Sequence, residues 1–246
     1  MSIHPRVRGH GAPAQLASPA GTPLSVLGWK AAFWADDPLW TNPGNGGAVS
    51  TWRDGGTAGS YTVTQASGTK QPTFRTGVTN LNGQSAVEFD GTSDNLQVAT
   101  PTVAQPYTII GVLDVVSATG TPIFSDAVGA GRAALFINAG ASWAIYTGGA
   151  AALSSASAPT TGRHVLRGLF DYMGSAIVNE ATTKSGALSN STGFTGISLG
   201  AGTSGSANYA SMRLGFWGLY LGDITRDPNW QNLRRILFNL YGATVS

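Results

Sequence analysis

The chain has 246 residues, of which only 11% are charged, and its net charge is +2. It has no cysteine, which excludes disulfides and thiolate metal ligands, and its small net charge argues against nucleic acid as a partner. Its 34 glycines and a hydrophobic fraction of 42% predict one all-β body with short strands and tight turns around a substantial core.

The leading segment, residues 1–27, has a different composition from the rest of the chain. Its prolines stand among small residues, which predicts an extended arm rather than a packed element. Arg6 and Arg8 precede the first acidic residue, Asp36, so positive charge is concentrated here. Two interpretations stay open: a flexible tail, or an arm that becomes ordered on a partner and docks the domain there.

No continuous apolar stretch of the signal-peptide kind opens the chain, and no later run approaches the roughly 20 residues of a membrane helix. We therefore expect synthesis in the cytoplasm and no membrane partner.

From residue 28 onward, short apolar runs alternate with Gly, Pro, Asn and Asp at the spacing typical of a two-sheet antiparallel sandwich. The longest run, 107–116, is apolar on both faces over part of its length and is predicted to be a central core strand. The predicted strands are 30–35, 86–89, 96–98, 107–116, 122–124, 133–138, 142–146, 162–171, 175–178, 196–199 and 210–221.

A compact turn of small polar residues separates the predicted strands 86–89 and 96–98. Its Asp90, Asp94 and Asn95 are the candidate ligands for Ca²⁺, an ion that favours several oxygen atoms. Their spacing does not fit an EF-hand, and the same side chains cap turns by hydrogen bonding to the backbone. We favour the turn role, so no cofactor is assigned and Ca²⁺ is the alternative.

One helix is predicted within residues 227–242. Asp227 can cap free N–H groups, Pro228 has the φ angle that the first helical position needs, and Gly242 can adopt the left-handed stop conformation. One face of this helix is apolar, which predicts packing against the sandwich. That face contains Trp230, Leu233, Leu237 and Leu240.

Several short motifs occur in an order that is informative as a set. They are GWKAAFWAD at 28–36, VSTWRD at 49–54, QPTF at 71–74, LNGQSAVEFDG at 81–91, DNL at 94–96, RHVL at 163–166, FD at 170–171, and the stretch 212–220 followed by the helix. Together they resemble the concanavalin A-like lectin and laminin-G-like jelly-roll domains, in the version common in bacteriophage virion and bacterial surface proteins. The resemblance covers about residues 28 to 242. It implies a jelly-roll domain at 28–246, which follows the docking arm at 1–27 that the composition predicts.

The resemblance also implies a function. It points to a non-enzymatic virion structural protein on the particle surface, a capsid decoration (minor capsid) protein docked through residues 1–27. Its expected partners are capsid or other virion proteins and the glycans of the bacterial host surface. The alternatives are a tail or fibre adhesion protein, a carbohydrate-binding module of a bacterial surface protein, and a cryptic glycoside hydrolase. A homo-oligomer is compatible with each of them, but no heptad pattern demands one.

Glycan binding requires an accessible aromatic ring beside polar groups that meet sugar hydroxyls. The candidate glycan-binding residues lie in segments rich in glycine or small polar residues, with core packing as the alternative for each. They are Trp40, Trp143, Tyr146 and Tyr209.

Catalysis has little support in the sequence, so no catalytic residue is assigned. Related hydrolases need two carboxylates beside the scissile bond. The only glutamates, Glu88 and Glu180, are far apart in sequence, and no Glu-x-Asp-x-x-Glu strand occurs. His164 lies near Asp171, but no Gly-x-Ser-x-Gly elbow accompanies them, so His164 is predicted to be an ordinary strand residue.

Overall fold

The computed structural model describes residues 23–24, 27–56, 61–100, 102–128, 133–138, 142–148, 152–155, 157–179, 182–188, 193–202, 205 and 207–242. Most of the predicted arm, including Arg6 and Arg8, lies outside these residues. Within them the chain forms strands in two antiparallel sheets and one α-helix near its end, which confirms the predicted all-β sandwich.

The strands are short except for three long ones in the first sheet. In chain order they are β1 (Trp29–Trp34), β2 (Thr51–Arg53), β3 (Thr62–Thr64), β4 (Thr73–Arg75), β5 (Ala86–Asp90), β6 (Leu96–Val98), β7 (Tyr107–Ser117), β8 (Ile123–Asp126), β9 (Ala134–Asn138), β10 (Ser142–Tyr146), β11 (Leu153–Ser154), β12 (Gly162–Phe170), β13 (Ser175–Asn179), β14 (Thr182–Gly186), β15 (Ile197–Leu199) and β16 (Ser211–Leu221).

Among the described residues, each of the two sheets contains eight strands. The first has the order β14-β13-β12-β7-β16-β5-β4, and β1 pairs with the far half of β16, beyond the part that pairs with β5. The second has the order β11-β10-β9-β8-β15-β6-β3-β2. Eleven of these strands were predicted, with end points that differ from the observed ones by at most two residues. The polar or very short β2, β3, β4, β11 and β14 were not.

The space between the sheets holds the main hydrophobic core. The central strand β7 shows how alternation fills it, because Ile109 and Leu113 point into this core while Ile110 and Val112 point to the other face of the first sheet. Its first nine residues are all buried, which confirms the predicted strand covered on both sides. Each large apolar side chain buried in this way stabilises the fold by about 1.5–3 kcal/mol.

Helix α1 (Trp230–Tyr241) covers part of the outer face of the first sheet and builds a second, smaller core there. Its buried side chains are Trp230, Leu233, Leu237 and Tyr241, while Leu240 is half-buried. The predicted stop is confirmed: Gly242 has φ 65° and its N–H donates to the Phe238 carbonyl at 2.7 Å.

The predicted start of the helix is two residues too early. The helix begins at Trp230, so Pro228 precedes it rather than occupying the first helical position. Asp227 accepts a hydrogen bond from the N–H of Asn229 at 2.7 Å, and its carbonyl accepts from the N–H of Trp230. The entry turn thus uses the Asp227 carboxylate, and the helix follows it.

None of the helices in the described part of the chain has the length and apolar character needed to cross a membrane.

Candidate functional site

A connection between β15 and β16 crosses the outer face of the second sheet and forms one wall of a pocket. The Ser198 hydroxyl, on the outer side of β15, donates to the Ala201 carbonyl at 3.0 Å. Farther along, the N–H of Ile123 on β8 donates to the Asn208 carbonyl at 2.9 Å. These two contacts hold the connection against the sheet on both sides of the strand pair β8 and β15.

The pocket between this connection and the sheet has a volume of 250 Å³. It is lined by Thr121, Ile123, Ala134, Phe136, Tyr146 and Asn208. The two rings face outward because their strand neighbours, Leu135 and Ile145, point into the main core. Phe136 pairs with Ala144 in the β9–β10 register, which makes Phe136 and Tyr146 diagonal neighbours on one face. The sheet therefore supplies two half-buried aromatic rings to one wall.

The opposite rim of the pocket is polar. The Thr121 hydroxyl donates to the Asn208 amide oxygen at 3.3 Å, and both residues are exposed. Asn208 has φ 56°, a left-handed conformation that asparagine tolerates better than most residues. This arrangement directs the Asn208 amide N–H₂ as a donor and the Thr121 oxygen as an acceptor, so the rim matches a ligand whose groups both donate and accept.

Two of the four predicted glycan-binding aromatics are core residues, and the expectation that their rings are accessible is wrong. Trp40 is 6% exposed and packs at 5.5 Å from the Phe74 ring. Trp143 is fully buried, with its ring 5.4 Å from that of Phe124. Side chains alternate along a strand, so residues three positions apart lie on opposite faces. Trp143 therefore points into the core, whereas Tyr146 faces outward.

The other two predicted aromatics lie at or beside the pocket. Tyr146 lines it directly. Tyr209 is half-buried next to Asn208, and its hydroxyl donates to the Gly205 carbonyl at 2.8 Å, so it supports the connection that forms the wall. Phe136, Thr121 and Asn208 were missed. Alternation along β9 could have placed Phe136 outward, whereas Asn208 comes to the pocket only through long-range folding.

The structure places the three candidate Ca²⁺ ligands in turn geometry. One Asp90 carboxylate oxygen accepts from the N–H groups of Thr92, Ser93 and Asp94 at 2.8–3.0 Å. An Asp94 oxygen accepts in return from the Asp90 N–H at 3.0 Å. The Asn95 amide nitrogen donates to a backbone carbonyl of the β15–β16 connection at 2.8 Å, and its oxygen accepts from a glutamine side chain.

The same turn separates the pKa values of its two carboxyl groups. Burial raises the pKa of Asp90, but the hydrogen bonds of the turn outweigh it and hold that pKa well below its usual range. Burial and the neighbouring Asp90 charge raise the pKa of Asp94 to about 6. Within the described residues, no group of three or more His, Cys, Asp or Glu side chains has the proximity needed to hold a metal ion.

A ladder of charges crosses the part of the first sheet that α1 leaves open. Glu88 on β5, Arg213 on β16 and Asp114 on β7 are direct cross-strand neighbours. Arg213 pairs with Asp114 at 2.9 Å and also with Glu88, which Arg75 contacts at 2.7 Å. Cavities of 410 and 390 Å³ flank Arg213. The cations and carboxylates of this ladder balance one another.

The charge ladder is not arranged as an acid–base pair. Burial raises the pKa of Glu88, but its hydrogen bonds with Arg213 and Arg75 outweigh burial, so the pKa lies below its ordinary value. A general acid needs a raised pKa. Glu180 lies outside the described residues. His164 is a buried strand residue, as predicted, and its ring nitrogen lies 2.9 Å from the Thr160 carbonyl.

The described fold matches solved structures, whereas no protein-family model and no curated protein sequence matches the chain. A Trypanosoma rangeli sialidase in complex with 2,3-difluorosialic acid aligns with a TM-score of 0.56 and 14% identity, over 94% of this chain and 35% of the sialidase. The same sialidase in complex with sialic acid gives 0.55 and 13%, over 85% and 32%. Domain 4 of the arabinanase AbnA from Geobacillus stearothermophilus, in complex with arabinotriose, gives 0.48 and 12%, over 64% and 77%.

At these identities the likeness to the sialidases establishes the fold, and the chain spans about a third of their length.

Proposed function

We propose that this chain is a non-enzymatic carbohydrate-binding domain whose ligand enters the pocket on the outer face of the second sheet. The observation that carries the proposal is the placement of Phe136 and Tyr146 opposite Asn208 and Thr121. Aromatic rings provide an apolar surface for the C–H face of a sugar, while amide and hydroxyl groups meet its hydroxyls. The shared fold with sialidases, one of them solved with sialic acid, adds support.

The size of the pocket favours one sugar residue at a time. Its 250 Å³ is below the range of roughly 300–1,000 Å³ typical of drug-sized ligands. A hexose has about 12 non-hydrogen atoms, and at about 0.3 kcal/mol per atom its binding free energy would be near 4 kcal/mol, a Kd of about 1 mM. Useful retention would then depend on many copies acting together.

A glycan array tests the proposal when the full chain is presented in multivalent form. Tyr146→Ala and Phe136→Ala should each weaken binding by about tenfold, because one sugar-facing ring is lost. Phe238→Ala is the matched control, since Phe238 is 52% exposed on α1 and far from the pocket. Retention of full binding by both pocket variants, with thermal unfolding unchanged, would contradict the proposal.

The absence of catalysis is part of the same proposal and is tested separately. Support comes from the pairing of Glu88 with two arginines, which keeps this carboxylate ionised. Incubation of the chain with each bound glycan should release no sugar. Release that is abolished by Glu88→Gln would revive the cryptic hydrolase.

We further propose that the domain is displayed on a bacteriophage particle as a capsid decoration protein docked through residues 1–27. The support is the ordered set of motifs between residues 28 and 242 that resembles the version of this fold common in virion proteins. Co-sedimentation with phage shells stripped of the protein should be seen for the full chain but not after deletion of residues 1–27. Failure of both forms to sediment would favour a tail, fibre or bacterial surface protein.

A further inference from the structure

We propose that Arg167 and Arg234 form an oxyanion-binding site at the first turn of α1, on the opposite side of the sandwich from the pocket. The group bound there is a phosphate, sulfate or carboxylate, whose oxygen atoms match the N–H groups of a guanidinium. The site takes no part in the proposed sugar binding, so the two proposals can succeed or fail independently.

Arg167 is a charged residue in an apolar setting. It lies on β12 with its side chain on the outer face of the first sheet, since the preceding Leu166 points into the main core. Its cross-strand neighbours Ile110 and Val178 are at most 1% exposed. The guanidinium carbon lies 5.8 Å from the centre of the Trp230 ring on α1, and Arg167 is 9% exposed. The fold thus places a cation where a charge is costly unless it has a partner.

The Arg167 guanidinium lacks the hydrogen bonds that a buried cation needs. Among the residues that the structure describes, none accepts a hydrogen bond from it, and its Nε–H is also shielded from solvent. The Trp230 ring supplies a cation–π contact, which does not use the N–H donors. These donors therefore stay available to an oxyanion, which can accept two of them at once.

A second cation lies close to the first. Arg234 follows Trp230 by one helical turn, and its Nη1 donates to the side-chain oxygen of Gln231 at 3.2 Å, so its guanidinium lies toward the start of α1. Burial lowers the pKa of Arg167, the charge of Asp223 opposes this effect, and the charge of Arg234 lowers the pKa further. The two guanidinium groups repel each other, whereas an oxyanion between them is attracted to both.

The acidic residues near this end of α1 have other partners. Asp223 accepts from the N–H and the hydroxyl of Thr225 and pairs with Arg226 at 3.4 Å. Asp227 accepts from the Tyr220 hydroxyl at 2.8 Å. The start of α1 also has no side-chain cap, so the partial positive charge of the helix end adds to that of the two arginines.

The test adds inorganic phosphate, sulfate or acetate to the isotopically labelled full chain at neutral pH and constant ionic strength. The Nε–H signal of Arg167, followed by NMR, reports on the site directly because this group is shielded from solvent. Phosphate should shift the signal along a saturable curve and bind more tightly than acetate, because its second charge is attracted to Arg234.

Variants separate a site from general screening. Arg234→Gln should weaken phosphate binding by about tenfold, because it removes one charged hydrogen-bond donor group. Arg235→Gln, at an exposed position on the same helix, is the matched control and should not change it. Phosphate should also raise the thermal midpoint of the wild-type chain but not that of Arg167→Gln.

The outcomes decide both the site and its ligand class. Tighter binding of phosphate or sulfate would support a site for a tetrahedral anion, and tighter binding of acetate would support a site for a carboxylate. A signal that responds to none of the three probes, or shifts that never saturate and persist in Arg234→Gln, would overturn the proposal and leave Arg167 as a cation–π partner of Trp230. The sugar pocket is tested separately by Tyr146→Ala and Phe136→Ala, so neither result bears on it.

Discussion

The substitution Asp94→Asn should stabilise the protein at neutral pH, because the charge of Asp94 is buried beside other carboxylates. The side chain is 7% exposed, and its carboxylate stands beside those of Asp90 and Glu88. One of its oxygens accepts the Asp90 N–H at 3.0 Å, a bond that an asparagine amide oxygen can also make. The substitution thus removes the buried charge and retains the hydrogen bond.

The size of the effect follows from the pKa of Asp94. Burial first, and then the Asp90 charge, raise this pKa from 3.8 to about 6. At about 1.4 kcal/mol per pKa unit, the charged form costs the folded state about 3 kcal/mol above pH 6. A carboxyl whose pKa is raised by folding stabilises the folded state, and this stabilisation is complete below the unfolded-state pKa, near 4. The stabilisation is lost as the pH rises through the folded-state pKa of about 6.

Urea unfolding of wild type and Asp94→Asn between pH 4.5 and 8 measures this difference. The variant should be more stable by about 3 kcal/mol at pH 8, with the gap narrowing to about 1 kcal/mol near pH 4.5. Asp171→Asn, at an exposed position in the turn between β12 and β13, is the matched control. A gap that does not change with pH, or a variant less stable than wild type at pH 8, would refute the reasoning.

Three further substitutions test the packing and the charge ladder. Arg213→Met should lower the free energy of unfolding by about 3 kcal/mol at pH 7 in urea titrations, because Asp114, which is only 1% exposed, loses its cation. An unchanged free energy of unfolding would contradict the pairing. Leu237→Ala should cost about 2–5 kcal/mol by thermal unfolding, since this fully buried side chain joins α1 to the first sheet. Gly200→Ala should destabilise far more than Gly77→Ala in the same assay. Both glycines have positive φ, but only at 200 would the new Cβ lie 2.1 Å from a buried phenylalanine of β5, so equal losses would speak against that contact.

The sandwich could be predicted because its central strands carry their own pattern. β7 and β16 are long apolar runs bounded by turn residues, and their burial on both faces follows from that composition. α1 could also be predicted, since its apolar stripe and the stop at Gly242 are local signals.

The strands that were missed depend on partners distant in sequence. β14, with the sequence TTKSG, has no apolar alternation and is a strand because it pairs with β13 at the edge of the first sheet. β2 and β3 are three residues each and contribute one inward side chain apiece, Trp52 and Val63. A window of three residues contains too little alternation to specify a strand.

The candidate site was predicted only in part, because some of its residues also depend on contacts distant in sequence. Tyr146 was found as an aromatic beside small residues, but the same argument also selected Trp143, although alternation puts the two on opposite faces of β10. Asn208 reaches the pocket only because the N–H of Ile123, 85 positions earlier, holds its carbonyl against β8. No local sequence pattern predicts a long-range contact of this kind.

Mapping the bound sugar on the isotopically labelled chain by NMR tests the account most directly. Titration with the monosaccharide that binds best should shift the backbone amide signals of Phe136, Tyr146 and Asn208, with a Kd of about 1 mM. Asn208→Gly keeps the left-handed backbone and removes the amide, and it should weaken those shifts. Shifts confined to the charge ladder around Arg213, with the pocket signals unmoved, would contradict the assignment of the binding site.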